Sequence, residues 1–230
     1  MFFFDSGYLL FVFLPTLVIS GLTQFYIRNA YNKWGQTPNS RNVNGVGTAQ
    51  AIMQNYGLSH VHLQGAQGQL ADHYSPREQV VRLSPQVANQ PSIASMAIAA
   101  HEFGHVQQWS SQSLLIGARE FLVPGVRFGS GAALWLIILG LFMNFTGLAL
   151  IGLGLFGLAV LFSILTLPIE IDASRRGLKM LNDMGFLVTE EDRRGARSML
   201  TAAALTYVGA MVVSVITFLY YANLVTGRRN

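Results

Sequence analysis

The stretch AAHEFGHVQQW, residues 99–109, contains two histidines four residues apart and a glutamate directly after the first. On an α-helix, residues i and i+4 lie on one face, one turn apart, so His101 and His105 could hold one Zn²⁺ between their imidazoles. Glu102 is offset by about 100° around the helix, from where it could reach a zinc-bound water without ligating the metal. The run therefore predicts a hydrolytic zinc site with Glu102 as the general base. The alternative is a surface helix with two unrelated histidines.

A catalytic zinc has three protein ligands and one open position, so a third ligand must come from elsewhere in the chain. With 5 histidines and no cysteine, the choice is narrow. The candidates are His60, His62, His73, Glu170, Asp172 and acidic residues more distant in the chain. Glu170 opens the stretch EIDASRRGLKML, which has a helical pattern, and Pro168 just before it is typical of a helix start. A carboxylate on this second helix would complete a His₂Glu site, so we predict Glu170 as the third ligand.

The composition indicates a membrane protein. Of the 230 residues, 51% are hydrophobic and 11% are charged, against about 25% charged in soluble domains. Mean hydropathy is +0.39. The net charge of +4 does not indicate nucleic-acid binding, because the basic residues form no basic–aromatic stripe. The absence of cysteine excludes disulfides, thiol nucleophiles and cysteine-ligated zinc.

Apolar runs predict four membrane spans. Residues 8–27 are uncharged and long enough for one span, and without a basic start they favour a retained anchor over a cleaved signal peptide. The 42 residues between Arg127 and Glu170 carry no charge. As one helix they would measure about 63 Å, so we predict two spans with a turn near residues 144–147. Residues 199–224 form the last predicted span.

This span count places both halves of the predicted site on one side of the membrane. The histidines and Glu170 can meet only if an even number of spans separates them, and the uncharged run supplies two. Residues 28–127 and 168–197 hold 13 of the 15 lysines and arginines. The positive-inside rule therefore places both segments in the cytoplasm.

Residues 28–91 are polar and predict a small mixed domain. Residues 48–56 have the pattern of a short amphipathic helix. Alternating segments at residues 60–63, 70–74 and 80–83 predict three short antiparallel strands. A further helix is predicted to begin at Pro91-Ser92 and to carry the two histidines through to about Ser110.

Several motifs together resemble a known family. HEFGH, then a hydrophobic hairpin, then EIDASRRGLKML, with MFFFDSGYLL, GVGTAQAIMQNYGL and GQLADHYSPREQVVRLS in the same order and spacing, resemble the bacterial zinc-dependent membrane proteases of the YugP type, the neutral zinc metallopeptidase family. The match covers nearly the whole chain. More distantly, the chain is similar to HtpX and the CAAX prenyl proteases, gluzincins whose third ligand is a glutamate on a second helix. The resemblance implies His101, His105 and Glu170 as zinc ligands and Glu102 as the catalytic base.

The resemblance also implies the architecture and the location. We expect a mainly α polytopic protein of the bacterial inner membrane, with four transmembrane helices and a small cytoplasmic zincin-like α+β domain carrying a short antiparallel sheet. The expected divisions are an anchor (1–27), a metalloprotease region (28–127), a two-span hairpin (128–167), a segment with the third ligand (168–198), a last span (199–224) and a tail (225–230).

One position departs from the pattern. Many gluzincins carry an aspartate four residues after the ligand glutamate, where it orients a zinc-bound histidine. Here that position is Ser174. Asp172 is only two residues after Glu170, about 200° round the helix from it, so we do not expect it to bind the same metal. Either Asp172 orients the ligands through irregular backbone, or another group does so.

His73 and Tyr74 lie on a predicted strand shortly before the zinc helix. We expect this strand to pair with an extended substrate, with His73 or Tyr74 donating to the oxyanion; the alternative is a strand end beside a Ser-Pro turn.

Other polar residues have weaker functional interpretations. His60 and His62 point to the same strand face, which favours a solvated face over a second metal site. For Tyr207 and Arg197, a role as anchors at the membrane interface is favoured over donation to an oxyanion. Arg175 and Arg176 are interpreted as positive-inside residues or as an ion pair for Asp172.

The expected function is a zinc metalloendopeptidase embedded in the lipid bilayer, which hydrolyses protein or peptide substrates at a cytoplasm-facing site. Glu102 would take a proton from zinc-bound water and pass it to the leaving amine. The alternatives are a zinc-stabilised scaffold without turnover, and an intramembrane protease whose zinc helix lies in the bilayer.

Overall fold

The computed structural model describes residues 6–227, and for Ser130 the backbone alone. Residues 1–5 of the predicted anchor and residues 228–230 of the predicted tail lie outside the described residues. The helices are α1 (Ser6–Tyr8), a π-helical segment (Leu9–Phe13), α2 (Leu14–Gln36), α3 (Gly45–Asn55), α4 (Pro85–Asn89), α5 (Ile93–Ser110), α6 (Leu114–Phe142), α7 (Thr146–Asp183) and α8 (Glu190–Gly227). The strands are β1 (His62–Gly65), β2 (His73–Ser75) and β3 (Val80–Leu83).

The chain divides into two compact units. The first comprises the described parts of Met1–Gln24, Leu114–Pro168 and Thr206–Asn230, and the second comprises Phe25–Ser113 and Ile169–Leu205. Helices α2, α7 and α8 each contribute one part to either unit. The residues of the predicted zinc site all belong to the second unit.

The first unit is apolar and helical. Within the described residues, three helices are long and apolar enough to cross a membrane, Ser6–Gln36, Thr146–Asp183 and Glu190–Gly227. A fourth candidate is α6, whose arms Leu114–Gly129 and Gly131–Phe142 are bent by 52°. Large apolar side chains of α6 are exposed, with Phe121 at 84% and Phe128 at 83%. Such surfaces suit a lipid environment.

Small residues bring α6 and α7 together within this unit. A Cβ at Gly152 would lie 2.7 Å from the carbonyl oxygen of Ala133, and a Cβ at Gly140 would clash with the backbone of Ala149. The helices are joined by residues 143–145, which agrees with the predicted turn. Glycine at these contacts permits the close helix packing that is common in membranes.

The second unit has its hydrophobic core around α5. Its core residues come from the C-terminal part of α2, from α3, β3 and α5, and from the parts of α7 and α8 that belong to this unit. Helix α5 begins after Ser92, whose hydroxyl accepts a hydrogen bond from the Ser95 backbone. This confirms the predicted start and end of the helix with the two histidines.

The prediction of a purely antiparallel sheet is wrong. The strand order is β1-β3-β2, and β3 pairs parallel to β1 but antiparallel to β2. The physical reason is burial, because β3 buries three of its four residues and therefore takes the centre of the sheet. Residues 66–72 carry the chain from β1 to the opposite side of β3. The first two strands also begin later than predicted, at His62 and His73.

Two predicted helix starts are also wrong. Helix α3 begins at Gly45, three residues before the predicted Thr48, because the side chain of Asn44 caps it by accepting a hydrogen bond from the Gly47 backbone. Pro168 does not begin a helix but lies inside α7, which is continuous from Thr146 to Asp183. Proline removes one backbone donor from a helix, and the helical sequence on both sides keeps α7 intact. Glu170 is therefore carried by the same helix as the preceding apolar segment.

Within the second unit, helices α5 and α7 approach each other closely at two glycines. A Cβ at Gly104 would overlap the backbone of Ala173, and a Cβ at Gly177 would lie 2.8 Å from the carbonyl oxygen of Ala100. These two glycines allow the backbones of α5 and α7 to touch. The contact brings the histidine face of α5 against the turn of α7 that begins at Glu170.

We predict that Gly104→Ala destabilises the protein by about 1–3 kcal/mol, because the added methyl group must push α5 away from α7. Thermal unfolding of the purified protein in detergent measures this. Gly154→Ala is the control, since Gly154 lies within the helix α7 and a Cβ there meets nothing within 4 Å. Equal unfolding temperatures for the two variants would contradict the close-packing interpretation.

Candidate metal centre

His101, His105 and Glu170 converge in the second unit. The Glu170 Oε2 atom lies 3.3 Å from His101 Nε2 and 3.6 Å from His105 Nε2. One ligand atom from each of the three residues lies within 4.8 Å of the others. Within residues 6–227, no other group of three histidine or acidic side chains converges in this way.

The chemistry of these three groups fits a zinc ion. Burial alone would raise the pKa of Glu170, but hydrogen bonds from the two imidazoles lower it to about 2, so its carboxylate is ionised. Two imidazole nitrogens and one carboxylate are a common ligand set of catalytic zinc, and three protein ligands leave one position for water or substrate. The site could therefore hold zinc and keep it reactive.

Glu102 has a different environment from Glu170, although both are carboxylates of the same site. Glu102 is 6% exposed, and within the described chain its carboxylate has no hydrogen-bond partner. Burial raises the pKa of Glu102, and the nearby histidines offset only part of this effect. A carboxylate with a raised pKa holds a proton more readily than an ordinary glutamate, which suits a group that must take up a proton and release it again.

Hydrogen bonds hold both imidazoles by their second nitrogen. His101 Nδ1 lies 3.1 Å from the hydroxyl oxygen of Ser174, the residue found where the resembled gluzincins carry aspartate. His105 Nδ1 lies 3.0 Å from Oε1 of Gln108. Both Nε2 atoms therefore face Glu170, the direction in which a shared metal would lie.

Asp172 does not touch either histidine. Its Oδ2 accepts hydrogen bonds from Gln108 Nε2 at 2.8 Å and from Arg176 Nε at 2.7 Å. It therefore reaches His105 only through Gln108, and the ion pair with Arg176 is the one that the sequence predicted.

The sequence alone did not identify Ser174 or Gln108 as contacts of the histidines. Gln108 follows His105 by three residues, so the two share a helix face, and this spacing was a usable signal. The signal for Ser174 was its position four residues after Glu170, where the resembled gluzincins carry the aspartate that orients a zinc-bound histidine.

The other predicted residues lie outside the group of three. His73 and Tyr74 lie on β2, an edge strand that packs against α5. His73 is exposed, with Nδ1 2.8 Å from the Ala71 carbonyl oxygen, and Tyr74 is half-buried against the core. His60, His62, Arg175 and Arg197 are exposed, and Tyr207 lies in the first unit at 36% exposure.

Comparison with known proteins identifies the family. Residues 9–226 match the family described as "Putative neutral zinc metallopeptidase". The curated protein "Putative membrane protease YugP" of Bacillus subtilis (strain 168) is 35% identical over 225 residues, which cover 96% of this chain and 99% of that protein. No solved structure matches significantly. With a family match that spans both helices of the His₂Glu group, the chain belongs to the putative neutral zinc metallopeptidase family.

Proposed function

We propose that this protein is a membrane-embedded zinc metalloendopeptidase of the gluzincin type, which hydrolyses peptide bonds in protein substrates. Its zinc ligands are His101, His105 and Glu170. The observation that carries the proposal is the pairing of this group with Glu102, a buried carboxylate on the same turn as His101 and without a hydrogen-bond partner in the described chain. The family and the membrane protease relative support the same reaction class.

The proposed reaction is hydrolysis assisted by a general base. Zinc in this site would polarise the scissile carbonyl and lower the pKa of water towards about 7. Glu102 takes a proton from the attacking water, whose oxygen bonds to the carbonyl carbon. As the C–N bond breaks, Glu102 delivers that proton to the leaving nitrogen. Its raised pKa supports both steps, because it holds the proton between them.

The edge strand β2 is the proposed substrate-binding strand. Its second side has no strand partner within the described residues, and it packs against α5, which carries the histidines. An extended peptide could add to this edge through main-chain hydrogen bonds. His73 and Tyr74 on this strand are proposed donors to the oxyanion. Burial raises the pKa of Tyr74, so its hydroxyl keeps its proton.

We propose four spans and a site that faces the cytoplasm at the bacterial inner membrane. The three apolar helices and the bent α6 provide the spans, and the distribution of lysine and arginine supports the orientation. Helix α5 is not among the helices of the described chain that could cross a membrane, which disfavours an intramembrane protease. A scaffold without turnover is disfavoured because a structural zinc site has no use for Glu102.

Glu102→Gln is expected to keep zinc and fold but to lower peptide hydrolysis by about 10²–10⁴-fold, because the amide cannot accept the proton. The measurement is cleavage of an unfolded membrane protein by the purified enzyme. Glu191→Gln, at an exposed glutamate of α8, is the control and should cleave like wild type. Full activity of Glu102→Gln would end the proposal. Proteins that accumulate in cells with this variant would be its substrates.

The purified protein should contain one zinc per chain. Each of His101→Ala, His105→Ala and Glu170→Ala should lose most of it, since two remaining ligands hold zinc weakly. His62→Ala is the control, because this histidine is exposed and outside the converging group. Elemental analysis after gel filtration measures the ratio. Unchanged zinc in the first three variants would place the metal elsewhere.

Cysteine labelling tests the orientation, and the chain has no native cysteine to interfere. Gln67→Cys, in the exposed segment between β1 and β2, should react with an impermeant maleimide only after cells are opened. Met143→Cys, in the exposed turn between α6 and α7, should react in intact cells whose outer barrier is permeabilised. The reverse pattern would show that the site faces outward.

A further inference from the structure

Gln108 is a polar side chain buried to 1% exposure, three residues after His105. Its side-chain hydrogen bonds join it to α5 and α7. Its Nε2 donates to the Ile169 carbonyl oxygen and to Asp172 Oδ2, each at 2.8 Å, and its Oε1 lies 3.0 Å from His105 Nδ1. A buried amide with this many partners has one allowed orientation.

The partners of Gln108 determine the proton position on His105. Two acceptor-only oxygens face one end of the amide, so that end must be the NH₂ group. The other end is then the carbonyl oxygen, which can only accept. His105 Nδ1 must therefore carry a hydrogen and donate it, so the neutral imidazole that would bind a metal has its lone pair on Nε2, the nitrogen on the side of Glu170.

His101 is not held in the same way. Its partner Ser174 has a hydroxyl that can donate or accept, so this contact is compatible with either tautomer of His101. The two histidines of the site thus differ, although they look equivalent in sequence.

We propose that Gln108 is a positioning residue that holds His105 in its metal-binding tautomer, and that Asp172 and Arg176 act on the metal site through it. This inference rests on the proposed function, because it assumes that His105 binds zinc. The Asp172–Arg176 ion pair fixes the carboxylate that anchors the amide. This pair is half-exposed, with side chains 42% and 33% exposed, so a change at the surface is transmitted to a buried ligand.

A purely structural role is the competing explanation, since Gln108 also ties α5 to α7 through the Ile169 carbonyl. The two explanations differ in one respect. If Gln108 only links the two helices, its replacement affects folding whether or not Asp172 is present. If Gln108 transmits the effect of Asp172 to His105, which we call the relay, then the effect of Asp172 on zinc binding depends on Gln108.

The experiment measures the zinc dissociation constant of the full-length protein in detergent by competition with a chelator. Gln108→Met should raise it about 10–100-fold, as loss of a hydrogen bond to a zinc-bound histidine commonly does. It should also change the absorption spectrum of Co²⁺ in the site. Gln107→Met is the matched control, because this neighbouring glutamine is half-buried and contacts no ligand by hydrogen bond. It should stay within about twofold of wild type.

Variants of Asp172 distinguish the relay from a purely structural role of Gln108. Asp172→Asn keeps an oxygen that accepts from Gln108 and should bind zinc nearly as wild type does. Asp172→Leu removes that acceptor and should bind more weakly. In the double variant Gln108→Met with Asp172→Leu, zinc binding should be no weaker than in Gln108→Met alone.

The outcomes are distinct. Wild-type zinc affinity in Gln108→Met, or fully additive effects in the double variant, would overturn the relay and leave the proposed function intact. Absence of zinc from the wild-type site would overturn both. If Gln108→Met does not fold, the comparison of Asp172→Leu with Asp172→Asn decides, because that side chain is 42% exposed and tolerates change; equal affinities there would overturn the relay.

Discussion

The close contact of α5 with α7 is the constraint on which the site depends. Two of the proposed ligands come from α5 and one from α7, and the glycines at 104 and 177 let the two backbones touch. At a usual interhelical distance of about 8–10 Å, a glutamate side chain would have to extend much further to meet both imidazoles. Because interiors are close-packed, a single extra methyl group at this contact cannot be absorbed locally. The geometry of the site is therefore a property of the helix pair.

The two carboxylates of the site show how environment separates chemical roles. Glu170 is held ionised by hydrogen bonds from two imidazoles, with a pKa of about 2. Glu102 directly follows His101 in α5, is buried and has no such partners in the described chain, and its pKa is raised. When neighbouring acids have their pKa values pushed apart, one can remain a charged ligand while the other exchanges protons. The proposed assignment of Glu170 as ligand and Glu102 as base rests on this difference.

The hydrogen bonds behind the ligands were the part that the sequence predicted least well. Similarity to gluzincins directed attention to an aspartate four residues after Glu170, and the chain has serine there. Ser174 nevertheless contacts His101, and Asp172 contacts the site by way of Gln108. Such contacts depend on side-chain reach across a helix interface. Several residue types can satisfy the same donor or acceptor, so residue type at one position does not identify the partner.

The sequence by itself determined the family, the two histidines of α5, the long apolar segments and the limits of the helix that carries the motif. These depend on local spacing and on helical periodicity, which the chain encodes residue by residue. Only the tertiary structure decided the mixed order of the sheet, the continuity of α7 through Pro168, the contact of Ser174 with His101 and the contacts of Gln108 with α7. Each of these is settled by packing between elements far apart in sequence: burial of β3, close approach of α5 to α7, and the alignment of buried donors with acceptors. Local sequence patterns do not encode the distances between these elements, because those distances are set only when the elements pack together in the core.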